Sequence, residues 1–180
     1  MAGVRHLPEF AHSLFRMFEG EGIPLLLAGG WAVCFHGHSR ATLDIDWICR
    51  RSQFQEACAL MDRLGLSRVS DGMASRFKSD KDPSIPFTDL IWVDDATFAT
   101  MKEDSTSSPS PLPVAMLGFR ALLAMKLFAL KDGEARDHKD LLDIRSLLRY
   151  SPREISDEEF RVMCERYAGS GAYDKIKAVS

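Results

Sequence analysis

The four cysteines of this 180-residue chain, Cys34, Cys49, Cys58 and Cys164, include no Cys-x-x-Cys pair. Neither a zinc site nor a disulfide framework is therefore indicated, and they read as reduced, mostly buried thiols. Long apolar runs are missing as well. The most apolar stretches, Pro24–Ala28 and Ala121–Leu130, fall far short of the ~18 continuous apolar residues of a membrane span. Positive charge is not in excess: 23 Lys+Arg stand against 26 Asp+Glu, a net charge of -3, which leaves nothing to hold nucleic acid non-specifically, although a local basic patch stays open. The opening Met1–Glu9 has no basic stretch, apolar run and small-residue cleavage site of a secretory signal, so a cytoplasmic protein without membrane association is expected. No internal repeat is present, and the length suits one domain, or one with a small appendage. What is there, 46% hydrophobic and 27% charged residues, is the make-up of a folded globular protein and excludes global disorder.

Hydrophobic periodicity organises the chain. Phe10, Leu14, Met17 and Phe18 recur at helical spacing, and Gly20–Pro24 ends that helix. Pro24–Ala28 reads as a short buried strand, Gly29-Gly30 as a turn and Trp31–His38 as a short helix. Thr42–Cys49 alternates, with Leu43, Ile45 and Trp47 on one face and Asp44 and Asp46 on the other, as in a half-buried strand. Ser52 offers an N-cap for a helix to about Leu64. Leu66–Val69, Met73–Lys78 and Phe87–Val93 are further strands, and Leu117–Leu130, Asp137–Leu148 and Ser156–Ala168 are helices. The Ser- and Pro-rich stretch within 102–113 reads as a connector. The expected organisation is an α/β core over 1–101, the connector over 102–113 and a helical region over 114–180.

The stretch from Leu26 to Cys49 is the most informative. Asp44 and Asp46, two apart on a strand, lie roughly 6–7 Å from each other along the backbone. Their repulsion among apolar neighbours calls for cations, and hard oxygen ligands suit Mg²⁺ or Mn²⁺. Phosphoryl and nucleotidyl transfer use such a pair, because metal ions clamp the attacking and leaving oxygens. Upstream, Gly29-Gly30 leaves bare backbone N–H groups that a phosphate can approach. A plain reading stands beside each: a solvated edge strand for the aspartates, an ordinary turn for the glycines. The nearby His36 and His38 lack the further ligands of a metal site and suit a loop or helix end better.

Gly29, Gly30, Asp44 and Asp46 together resemble the motif of the nucleotidyltransferase superfamily, a Gly-Gly or Gly-Ser turn followed by Asp-hydrophobic-Asp on a strand. The longer pattern of Gly29, Gly30, Ala32, Arg40, Thr42, Asp44, Ile45 and Asp46 is similar to the AbiEii and minimal nucleotidyltransferase branches. The Gly-Gly-Trp-Ala variant resembles aminoglycoside and lincosamide nucleotidyltransferases. The resemblance implies an α+β, polymerase-β-like fold: a small mixed sheet flanked by helices, followed by a helical part. It also implies a third carboxylate from a later strand. Asp89 is the choice, because it lies within an apolar strand, whereas Asp94 and Asp95 fall at a strand end where water reaches them.

In the helical part, Lys126 with Arg136 and Lys139 is similar to the Lys-x-x-Ala and Arg-x-x-Lys-Asp pattern of AbiEii-like proteins. Lys126 reads either as a triphosphate ligand or as a snorkelling surface lysine, and Lys139 reads equally as a partner of Asp143 along a helix. The expected function is metal-dependent transfer of a nucleoside monophosphate from a nucleoside triphosphate to an acceptor hydroxyl. Asp44, Asp46 and Asp89 would be catalytic and metal-binding residues. Gly29, Gly30, Arg40, Thr42, Lys126, Arg136 and Lys139 would serve the nucleotide. The acceptor, a protein, a tRNA or an aminoglycoside-like molecule, stays open. The alternative is a non-catalytic nucleotide-binding module, such as one partner of a toxin–antitoxin pair.

Overall fold

The structure, a computed structural model, describes residues 6–38, 40–109, 113–131, 137–151 and 155–178. They run α1 (His6–Gly20), β1 (Leu26–Leu27), α2 (Gly29–Phe35), β2 (Ile45–Arg50), a 3-10 turn (Arg51–Gln53) and α3 (Phe54–Arg63). There follow β3 (Leu66–Ser70), β4 (Ala74–Ser79), β5 (Thr88–Val93), α4 (Asp95–Glu103), β6 (Thr106–Ser107) and β7 (Ala115–Met116). The last elements are α5 (Phe119–Ala129), α6 (Asp137–Tyr150), α7 (Asp157–Tyr167) and α8 (Ala172–Ala178). The class is α+β, as expected. The chain divides into two compact units, one of residues 1–32 and 40–117, the other of residues 33–39 and 118–180.

The first unit is built on one mixed sheet of order β3-β4-β5-β2-β1-β7-β6. At its centre β2 runs parallel to β5 and antiparallel to β1. Ile45, Trp47, Ile48 and Cys49 of β2 are all buried, the signature of a central strand covered on both faces. On β5, Thr88, Leu90 and Trp92 point to the core while Asp89, Ile91 and Val93 take the other face. The α1 helix buries Ala11, Leu14 and Phe18, and Phe15 stacks on Trp47 at 5.9 Å between ring centroids. Met17, expected on that face, is exposed instead.

Three local expectations need correction. The strand expected over Thr42–Cys49 begins only at Ile45, and Leu43 is 80% exposed rather than in the core. Ser52 does not cap α3. Its N-cap is Gln53, without a side-chain cap bond, and the Ser52 hydroxyl donates to Asp95 Oδ1 at 2.7 Å. Helix α4 arises where none was read, and the stretch expected as a connector contributes β6, which pairs with β7.

In the second unit, α5 buries Phe119, Leu122, Leu123, Lys126 and Leu127, an i, i+3, i+4, i+7, i+8 stripe. Leu141, Ile144 and Leu147 of α6 are also buried, and α7 opens with a capping box between Ser156 and Glu159.

Burial also makes a pH prediction. Cys49 is fully buried, and loss of hydration pushes its thiol from the ordinary 9.0 up to about 12. Between those values the unfolded chain releases a proton that the folded chain keeps, so folding weakens as pH rises through that window. Thermal melts across it should fall less steeply for Cys49→Ala than for the wild type. Identical slopes would refute the assignment.

Candidate active site

The site grows out of the strand register. Along β2 and β5, Asp46 pairs directly with Asp89. Along β5 and β4, Asp89 pairs directly with Arg76. Asp46, Asp89 and Arg76 therefore form one row across three neighbouring strands. Two like charges side by side on adjacent strands destabilise a sheet, and an opposite charge beside them offsets the cost. Asp44 lies just before β2, two residues from Asp46, and joins the row through Arg76.

Arg76 supplies the positive charge. Its Nε donates to Asp89 Oδ1 at 2.9 Å, and its Nη2 donates both to Asp89 Oδ2 at 2.7 Å and to Asp44 Oδ2 at 3.0 Å. The hydrogen bonds to Asp89, with the neighbouring carboxylate charges, hold the Arg76 guanidinium above its ordinary pKa. The guanidinium also lies 5.2 Å from the centroid of the Phe87 ring.

The two glycines, which open α2 just after β1, back this row. Gly29 has φ +57, a left-handed conformation that side chains rarely adopt, and a Cβ there would collide with the Asp46 carboxylate. The Ala28 N–H donates to the Asp46 carbonyl at 2.8 Å, pinning the glycine turn beside that residue. At Gly30 an added Cβ would stand 2.5 Å from Thr42 Oγ1 and 3.0 Å from Arg40 Nη2. Gly29, Gly30, Arg40, Thr42 and Asp46 are thus brought together. The side chains that approach the glycines set the need for them.

The alternatives to Asp89 are otherwise engaged. Asp94 caps α4, accepting from the Thr97 N–H and hydroxyl at 2.8 Å each, and those bonds draw its carboxyl below the usual range. Asp95 accepts from Ser52.

The helical cations stand differently. Lys126 is buried, its Nζ 2.7 Å from Asp140 Oδ1 and 2.8 Å from Asp143 Oδ2. It is therefore not a snorkelling surface lysine. The partner foreseen for Lys139, Asp143, is paired with Lys126 instead, and Lys139 is exposed. Arg136 lies outside the described residues. His38 stacks on Tyr150 and His36 meets Phe119 edge-on, both at 6.4 Å between centroids.

By chemistry the donor set suits a hard divalent cation: the carboxylates of Asp46 and Asp89 on neighbouring strands and that of Asp44 just before β2, in a setting that already takes a positive charge. Among the described residues, no three His, Cys, Asp or Glu side chains converge as closely as metal ligation requires. Two of these three carboxylates share Arg76 instead. Arg76 was not singled out from the sequence. Alternation within Ser75-Arg76-Phe77 sets it opposite a buried Phe77, but only the β4–β5 register brings it to Asp89.

No protein-family profile and no curated protein matches the chain. Solved structures do. ANT(2'')-Ia in complex with adenylyl-2''-tobramycin superposes with a TM-score of 0.67 at 16% identity, over 89% of this chain and 95% of that one. A nucleotidyltransferase-like antigen of Paracoccidioides brasiliensis gives 0.58 at 14%, over 98% and 87%. The lincosamide antibiotic adenylyltransferase LnuA, lincomycin-bound, gives 0.56 at 17%, over 78% and 94%. The fold is that of the nucleotidyltransferases, as the sequence motif implied. No helix among the described residues is long and apolar enough to cross a membrane.

Proposed function

We propose that this protein transfers a nucleoside monophosphate from a nucleoside triphosphate to an acceptor hydroxyl. The observation that carries the reading is the row of Asp46 and Asp89, with Asp44 beside it, set against a glycine turn that admits no side chain. In the reaction the acceptor oxygen bonds to the α-phosphorus, the α–β anhydride breaks, and pyrophosphate leaves with the bonding electrons. Asp89 takes the acceptor proton, a role for a carboxylate held on a rigid strand. Gly29 and Gly30 let backbone N–H groups approach the triphosphate, and Arg40 and Thr42, packed at Gly30, border the same oxygens.

Asp44 and Asp46 would hold Mg²⁺ or Mn²⁺, which when bound neutralises the triphosphate and polarises its phosphoryl oxygens, with Asp89 completing the site beside them. Lys126, Arg136 and Lys139 remain candidate nucleotide residues of the helical unit, with Lys126 already paired. Two of the similar structures hold a tobramycin derivative and lincomycin. A small-molecule hydroxyl is therefore the first acceptor to test, ahead of tRNA and protein, and the cytoplasm is the proposed location.

Ligand linkage makes the test direct. Mg-ATP or another Mg-NTP should raise the melting temperature of the wild type and leave Asp44→Asn and Asp46→Asn unmoved. Labelled NTPs with aminoglycosides, lincosamides, tRNA and lysate protein should then yield a labelled acceptor. Equal thermal shifts in wild type and variants would overturn the site. Binding without any transfer would favour a nucleotide-binding module.

A further inference from the structure

The nucleotidyl-transfer reading has no part for Arg76, yet this side chain makes three hydrogen bonds within the carboxylate row. Its bonds are unequal. Toward Asp89 it is forked, with two charge-assisted bonds to a carboxylate whose side chain is only 14% exposed. Bidentate pairs of this kind are the strong ones. Toward Asp44 it makes a single bond at 3.0 Å to a side chain 38% exposed. Exposed single-bond pairs are worth little. The guanidinium face rests beside the Phe87 ring, a contact that does not depend on Asp44.

We infer that Arg76 is the built-in counter-ion of this site: it stays forked on Asp89 as a positioning residue, while its single bond to Asp44 is the one a divalent cation takes over. The inference rests on the nucleotidyl-transfer reading. Three carboxylates brought together by β2 and β5 repel one another, and a guanidinium fixed by β4 register relieves that repulsion without a ligand. A doubly charged cation with hard-oxygen preference satisfies the same oxygens better than one arm of an arginine. Arg76 and the cation therefore compete for Asp44, and the bidentate hold on Asp89 keeps the third carboxylate aimed while Asp44 changes partner.

The consequence runs against the usual outcome of deleting a site residue. Arg76→Met removes the competitor, so Mn²⁺ affinity, read from the loss of the free-ion EPR signal, should tighten by about two- to fivefold, the scale of an exposed single-bond pair. In EDTA the variant should melt below the wild type, and Mn²⁺ should raise its melting temperature by more than it raises that of the wild type. A residue that merely braced the sheet would lower the melting temperature and leave Mn²⁺ affinity unchanged. That result, or weaker binding, overturns the inference. If Arg76→Met does not fold, Arg76→Gln, neutral but still able to donate a hydrogen bond, is read against the same prediction. Wild-type protein that binds no Mn²⁺, with or without ATP, while the variants also bind none, overturns the nucleotidyl-transfer reading itself. Wild-type binding that the variants merely equal sinks only the role of Arg76.

Discussion

Replacing Lys126 by Met should destabilise the protein by about 3–5 kcal/mol, the cost of stranding buried charge. The Lys126 side chain is 8% exposed and Asp143 is fully buried, so removing the ammonium leaves two carboxylates with little access to water. Methionine fills much of the space and keeps the apolar stripe of α5, so the loss is one of charge rather than volume. Relief should come from neutralising the partners: Lys126→Met with Asp140→Asn and Asp143→Asn is expected to recover most of the loss. All three tryptophans, Trp31, Trp47 and Trp92, belong to the sheet unit. Urea melts followed by far-UV circular dichroism, which sees the helices, should therefore shift further than melts followed by tryptophan fluorescence. Coincident, wild-type-like curves for Lys126→Met would show that the triad is not the keystone of the helical unit.

The buried pairing of Lys126 also shows why its sequence context is ambiguous. A lone lysine inside Ala121–Leu130 signals an anion, and the sequence offers a phosphate as readily as a carboxylate. In the fold Lys126 meets carboxylates of the next helix, where Asp140 and Asp143, at i, i+3, share a face. The sheet site was more legible because its signals are local. Gly29-Gly30 and Asp44-x-Asp46 are neighbours in the chain, and strand alternation alone sets the two carboxylates to one side. Asp89 was legible as a charge in an apolar strand.

What could not be read depends on register and on weak pattern. Arg76 meets Asp89 only through the pairing of β4 with β5. Helix α4 buries a single residue, Phe98, so no apolar stripe announces it. The β6 and β7 strands are two residues each and lie beside prolines and serines, where composition argues for a loop. Leu43 broke the alternation because the chain enters β2 only at Ile45, leaving an apolar side chain exposed beside Asp44.

Asp89→Asn should cut transfer by about 10²-fold or more, the scale of a removed general base, while Mg-NTP affinity changes little. Asparagine keeps the size of the side chain and one acceptor oxygen, so Arg76 retains a bond at that position along with its bond to Asp44. The carboxylate beside the pair on β2, Asp46, is untouched. What is lost is the negative charge that accepts the proton, and the loss should appear in kcat and not in KM for the nucleotide. Asp44→Asn and Asp46→Asn should behave otherwise, lowering nucleotide affinity and transfer together, because they are proposed to hold the cation that the triphosphate needs. The contrast separates the role of Asp89 from a general electrostatic effect of removing any one of three neighbouring charges. Asp94 and Asp95 are poor substitutes, since one caps α4 and the other accepts from Ser52. Undiminished transfer in Asp89→Asn would mean that the acceptor loses its proton without help from β5, and that the pairing of Asp89 with Arg76 serves the sheet alone.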